Sequence, residues 1–162
     1  MTPELKKLDA FTAIGYSLAP PEGEVDVLES GAYWLGKDFS SVSKEEYQKL
    51  TYPGYAEIGT WMHPDQSGSD LRYFLGPEVK NTDYVPEGMV VLEFLAAEYA
   101  VFTVPAAKDL DELHANIRKT WKYIFSQWFD TSEWKYDESK MDFERYCGEE
   151  TCIYVPVIRK EQ

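Results

Sequence analysis

The sequence is short of sulfur and imidazole: its 162 residues include two cysteines and two histidines. Cys147 and Cys152 are too few for a disulfide framework and read as free thiols in or near strands. His63 and His114 lie far apart in the chain, with no carboxylate at ligand spacing on a shared helical face, so no metal and no other cofactor is expected. Also missing are a P-loop, a G-x-G-x-x-G and a G-x-S-x-G, so nucleotide chemistry and the common serine-hydrolase arrangement lack their usual signals. No apolar run approaches the ~20 residues of a membrane helix, and Met1–Leu8 lacks the apolar stretch of a signal peptide. A cytoplasmic protein with no membrane partner is expected. Basic residues are the last shortage: 16 Lys and Arg against 29 Asp and Glu leave a net charge of −13. Such a surface repels nucleic acid and anionic lipid and favours cationic partners.

Rings are what the chain has in quantity. Twelve Tyr, eight Phe and five Trp make up 15% of it. A core is only one place for them to go. The length and a hydrophobic content of 44% suit a single domain over 1–162 with a substantial interior.

Along the chain, Phe11–Leu18 is a β-compatible run stopped by Pro20, Pro21 and Gly23. Val27, Leu28, Trp34 and Leu35 predict a helix over 24–37, and Ser43 with Glu46 forms a capping box opening a short second helix. Tyr55–Met62 turns to period two, and the turn-rich 63–70 joins it to a strand over 71–75. After a linker over 76–88 the pattern restarts. Met89–Leu95 and Glu98–Val104 read as one strand broken by a bulge at Ala96 and Ala97. A helix follows over 109–129, with Leu110, Leu113, Ile117, Trp121, Ile124 and Trp128 on one stripe. Strands over 141–146 and 151–157 close the chain. The fold class expected is α+β: two tandem strand–helix–strand–strand units, about 8–80 and 86–159, whose sheets meet and leave a ligand cleft between them.

Strand parity selects candidate residues, because alternate side chains point to opposite faces. If Ile153, Val155 and Val157 face the helix, Cys152 and Tyr154 face away. If Phe143 is the helix-facing member of its strand, then Asp142, Glu144 and Tyr146 face away too. The same reasoning turns Tyr55, Glu57 and Trp61 from the helices of the first half. Aromatics and carboxylates would then meet in one cleft, suited to an aromatic or apolar cation. Glu144 could instead act as a general base in a dry cleft, taking a proton from water or from Tyr154. The plainer alternatives are a solvated Glu144 on an open sheet face and tyrosines packed as core. Trp121 and Trp128, on the helix stripe, read as core.

The order of Glu98–Thr103, the helix with Trp121 and Trp128, Asp142–Tyr146 and Ile153–Val157 resembles the GyrI-like effector-binding domain. Tyr55–Gly59, Tyr73–Val79 and Val85–Gly88 are similar to strand and linker signatures of its free-standing, integron-associated type. Two departures flank the helix: Val104-Pro105-Ala106 replaces a usual Gly, and no proline follows Trp128. The resemblance implies that the two units are tandem βαββ (SHS2-like) units with pseudo-twofold symmetry, and that the chain is a stand-alone binding protein for lipophilic, cationic, drug-like molecules, with Glu144 as charge partner and Tyr154 beside it. Tyr55, Trp61, Tyr146 and Glu57 complete the predicted site. It also implies one alternative, a hydrolase of cyclopropanone-type electrophiles that uses Glu144 and Tyr154. The acidic charge, which could imitate DNA, suggests a third class, an interaction protein that inhibits gyrase.

Overall fold

The computed structural model describes residues 1–19, 42–62 and 72–161. The helix expected over 24–37 and the turn over 63–70 lie outside them. The described elements run β1 (Glu4–Leu8), β2 (Phe11–Leu18), α1 (Lys44–Gln48), β3 (Glu57–Trp61), β4 (Tyr73–Val79), β5 (Val90–Phe94), β6 (Ala97–Thr103), α2 (Leu110–Tyr123), a π-helical turn (Ile124–Trp128), α3 (Phe129–Thr131), β7 (Trp134–Tyr136), β8 (Phe143–Cys147) and β9 (Glu150–Arg159). The fold is mixed α+β. Its antiparallel sheet has the order β1-β6-β9-β8-β3-β4-β2-β5, with β7 also paired to β9.

Helices α1 and α2 start where side chains can cap them. Ser43 Oγ accepts from the Glu46 N–H at 3.2 Å, and an Asp109 carboxylate oxygen accepts from the Glu112 N–H at 2.8 Å. Each cap satisfies one of the N–H groups that a first helical turn leaves without a partner. Acidic residues in both first turns, Glu45 and Glu46 in α1 and Asp111 and Glu112 in α2, suit the positive end of the helix dipole. The expected long helix is not regular to its end. Near Ile124 it widens into the π turn, flanked by hydroxyls that bond back to the fourth carbonyl before them: Thr120 to Asn116 at 2.8 Å and Ser126 to Lys122 at 2.5 Å.

The sheet is apolar on both faces. One face lies under α2, where Ile117, Ile124 and Trp128 pack on Phe102, Ile153, Val155 and Val157. On the other face, residues from distant strands form one aromatic core. Phe94 of β5 meets Phe143 of β8 at 5.2 Å, Tyr99 of β6 meets the same ring at 5.4 Å, and Phe11 stacks on Phe94 at 4.5 Å. Strands so far apart in the order can share a core only if the sheet curls around it.

The pairing corrects three expectations. Directly paired residues share a face, and Phe143 pairs with Tyr154 while Glu144 pairs with Ile153. Phe143 therefore belongs to the curled inner core, and Glu144 and Tyr146 lie on the helix side, the reverse of the expected parity. The bulge at Ala96 and Ala97 is instead a corner between two strands: β5 pairs with β2, whereas β6 pairs with β1 and β9. Finally, β1 and β7 are strands that the periodicity did not reveal.

Candidate ligand-binding site

The central strands β3 and β8 pair so that Glu57 stands opposite Tyr146 and Gly59 opposite Glu144. All four therefore share the helix-side face. On the next strand Tyr73 pairs with Trp61, which brings both rings to this face as well. Gly59 makes room among them: a Cβ at that position would stand 2.5 Å from the Tyr73 hydroxyl oxygen. A bare backbone here lets Tyr73 reach across β3 to Glu144.

Glu144 is 2% exposed and, among the described residues, receives three donors. The hydroxyls of Tyr73 and Tyr146 donate to Oε1 at 3.1 and 2.5 Å, and the Trp121 indole N–H donates to Oε2 at 2.8 Å. A buried carboxylate would be costly without partners, and hydrogen bonds to charge are worth about 1.5–3 kcal/mol each in compensation. Burial, then the nearby Glu144 charge, pushes the Tyr73 hydroxyl well above the ordinary tyrosine range, which keeps it a donor.

A cavity of about 720 Å³ opens over this carboxylate, between α2 and strands β3, β4 and β8. Trp61, Tyr73 and Trp121 line it, with Phe125 at the mouth. The Phe125 ring lies nearly parallel to Trp121 at 5.9 Å although the side chain is 49% exposed, which extends the aromatic wall outward. Arg118, Lys119 and Lys122 form the exposed helical rim.

The expected single cleft is thus divided. Glu144 and Trp61 line the first cavity. Tyr55, Glu57 and the Tyr146 ring line a second cavity of about 720 Å³ near the start of α2. In that second cavity, among the described residues, Glu57 accepts one hydrogen bond, from the Tyr47 hydroxyl to Oε1, while Oε2 is buried without a partner. Burial pushes the Glu57 carboxyl above its ordinary range, and the Tyr47 hydrogen bond works against that shift. Tyr154 joins neither group. It stacks on Phe143 at 4.7 Å in the inner core, on the opposite face of the sheet from Glu144. The structure does not bring this predicted pair together.

Four contributors escape a reading of the sequence. Trp121 sits on the helix stripe and so reads as core, but it is only half-buried and turns its N–H to Glu144. Tyr73 is the pair of Trp61, a relation visible only once the hairpin register is known. Tyr47 reaches Glu57 from α1, and a lone glycine inside a strand, Gly59, is the one local signal of a close approach. Among the described residues no group of three His, Cys, Asp or Glu side chains is placed to hold a metal ion, and no helix is long and apolar enough to cross a membrane.

The fold has known relatives. A transcription regulation protein from Staphylococcus aureus MU50 superposes with a TM-score of 0.61 at 16% identity, over 97% of this chain and 98% of that one. An integron cassette protein from the mobile metagenome of Vibrio cholerae gives 0.61 at 13% identity, over 98% and 97% of the two chains. The protein SAV2435, in a structure bound to tetraphenylphosphonium, gives 0.61 at 15% identity over 98% and 94%. At these identities the likeness concerns the fold. No curated protein matches the sequence. A family model does, over residues 4–157, its description being Cass2, integron-associated effector binding protein. With a match that spans nearly the whole sheet and α2, the chain belongs to the Cass2 family of integron-associated effector binding proteins.

Proposed function

We propose that this effector-binding protein takes lipophilic organic cations in the cavity over Glu144. The observation that carries the reading is a 2% exposed carboxylate at the floor of a cavity walled by tryptophan, tyrosine and phenylalanine rings. Ring faces attract a cation at about 0.5–2 kcal/mol each, and a carboxylate shielded from water adds an opposite charge that salt screens little. Arg118, Lys119 and Lys122 oppose this attraction from the rim, but they stand in water, where their repulsion is weakened by screening. Three donors already occupy Glu144, so a ligand gains most if it brings charge without N–H groups, as phosphonium and quaternary ammonium ions do. Tetraphenylphosphonium, the molecule bound by SAV2435, is the natural probe.

The strand order supports two halves of one plan. It reads β6-β9-β8 on one side of the junction between the central strands and β3-β4-β2 on the other, so that corresponding strands are placed symmetrically about the β8–β3 junction. We read these as the two βαββ units of a single domain whose site straddles their junction.

Titration of tetraphenylphosphonium by tryptophan fluorescence or calorimetry tests the proposal. Glu144→Gln keeps the size and should weaken binding by about tenfold or more, a loss of at least ~1.4 kcal/mol. Equal affinity in the two proteins would sink the reading. The Tyr73 and Tyr146 hydrogen bonds to Glu144 also favour a second, hydrolytic reading in which one of these tyrosines, not Tyr154, works with the glutamate as an acid–base pair. That reading requires turnover of a strained electrophile that Glu144→Gln abolishes.

A further inference from the structure

The two cavities share no lining residue, yet each has a carboxylate from the central strand pair. Glu57 and Glu144 sit two residues apart in register, on either side of the Ile58–Arg145 pair and on the same face. Their chemistry differs. Among the described residues Glu144 is held by three donors, whereas Glu57 has the Tyr47 hydroxyl on Oε1 and leaves Oε2 buried and unmatched. An acceptor closed off from water and given no donor by the protein is suited to a donor that arrives with a ligand.

The walls say what else that ligand carries. Tyr55 and the Tyr146 ring face the cavity with Val104, Pro105 and Leu113, an apolar and aromatic lining of a size for a small organic body. Its charged lining residues are Glu57, Asp109 and Glu149 against Lys108, whose Nζ lies 3.9 Å from Glu112. Asp109 is occupied as the cap of α2. The balance is negative, and an anion would have to bury its charge against Glu57.

We infer that the Glu57 cavity is a second, separate binding site, for an amphipathic primary or secondary ammonium ion whose N–H donors are received by Glu57. The apolar body of the ligand lies between Tyr55, Tyr146 and Leu113, and its head turns inward to the carboxylate. Because Oε2 is closed off from solvent, the Glu57 carboxylate must turn so that Oε2 meets the incoming donor. Such a ligand is the complement of the one proposed for Glu144: N–H donors are an asset in one cavity and superfluous in the other. The inference stands on the Glu57 cavity alone and does not require the Glu144 reading.

Tyr146 links the two. It lines the Glu57 cavity, and its hydroxyl donates to Glu144 at 2.5 Å. A ligand that shifts the Tyr146 side chain also shifts one of the donors on Glu144.

Calorimetry with 2-phenylethylammonium and its N,N,N-trimethyl analogue tests the assignment on the full chain. The primary ammonium should bind the wild-type protein, lose about tenfold or more in Glu57→Gln, and stay within about twofold in Glu144→Gln, as expected for loss of a charge-assisted hydrogen bond at one site only. The trimethyl analogue, which has no N–H donor, should not lose affinity in Glu57→Gln. Ala106→Trp fills the cavity from an exposed lining position without touching Glu57, and it should abolish primary ammonium binding even if Glu57→Gln folds poorly. Absence of binding to the wild type, unchanged affinity in Glu57→Gln or Ala106→Trp, or transfer of the loss to Glu144→Gln would overturn the inference. A tetraphenylphosphonium affinity indifferent to Glu144→Gln would instead strike the proposed function and leave this site standing.

Discussion

Glu144 and Glu57 occupy neighbouring places on one paired strand face, and the fold treats them differently. Tyr73, Tyr146 and Trp121 converge on the first; among the described residues, Tyr47 alone reaches the second. Burial by itself therefore does not define what a carboxylate in this protein is for. On the functions proposed, the number of donors supplied by the protein decides whether the group serves as a fixed charge, already engaged in hydrogen bonds, or as an acceptor with an oxygen to offer. One strand pair would then present two cation receptors of different appetite.

The sharpest way to break this comparison is to remove each carboxylate and measure stability by denaturant unfolding. Glu144→Ala strands three buried or half-buried donors and opens a void, so it should cost about 3 kcal/mol or more, whereas Glu57→Ala strands one donor and should cost about 1 kcal/mol. Equal costs would mean that the three hydrogen bonds on Glu144 are not what distinguishes the two residues. A smaller effect comes from lowering the donor count. Tyr146→Phe removes one hydroxyl from Glu144 Oε1, should destabilise by about 1 kcal/mol, and should make the Glu144 cavity several-fold more receptive to N–H-bearing cations. If selectivity between trimethylated and primary ammonium probes is unchanged in this variant, donor saturation does not govern ligand class.

The smallest effect is in the pH dependence. Burial raises the Glu57 carboxyl in the folded protein above its unfolded value. A raised carboxyl contributes stability that is fully present below the unfolded value near 4.3 and is lost as pH climbs through the folded value. Glu57→Gln should therefore flatten the decline in stability between mildly acidic and neutral pH. An unchanged slope in the variant would assign that decline to other groups.

Much of the frame is legible in the amino-acid sequence alone. Phe11–Leu18 is the strand β2 to the residue, the Ser43 and Asp109 positions start helices, and Ile117, Ile124 and Trp128 face the sheet as their spacing requires. Glu144 is legible too, but for a reason the geometry reverses. Parity assumes that only one face of a sheet is apolar and that this face meets the helix. Here the curled sheet buries Phe94, Tyr99, Phe143 and Tyr154 against one another on the far face, so an apolar residue on β8 carries no information about which side the helix occupies. Tyr154 is lost to the site by that same curl. The corner after Phe94 is hidden for a related reason: two adjacent apolar runs look like one interrupted strand unless their partners, β2 for one and β1 and β9 for the other, are known. Trp121 shows the limit of helical periodicity, which places a residue on a stripe without saying that its polar atom has an appointment at the edge of it.

The central claim is that the cavity over Glu144 is where a lipophilic cation sits. A crystal structure with tetraphenylarsonium, whose arsenic can be located by its anomalous signal, tests it most directly. The peak should lie between the rings of Trp61, Trp121 and Phe125, above a Glu144 carboxylate still held by Tyr73, Tyr146 and Trp121. A bound arsenic in the Glu57 cavity, or anywhere outside the rings over Glu144, would contradict it.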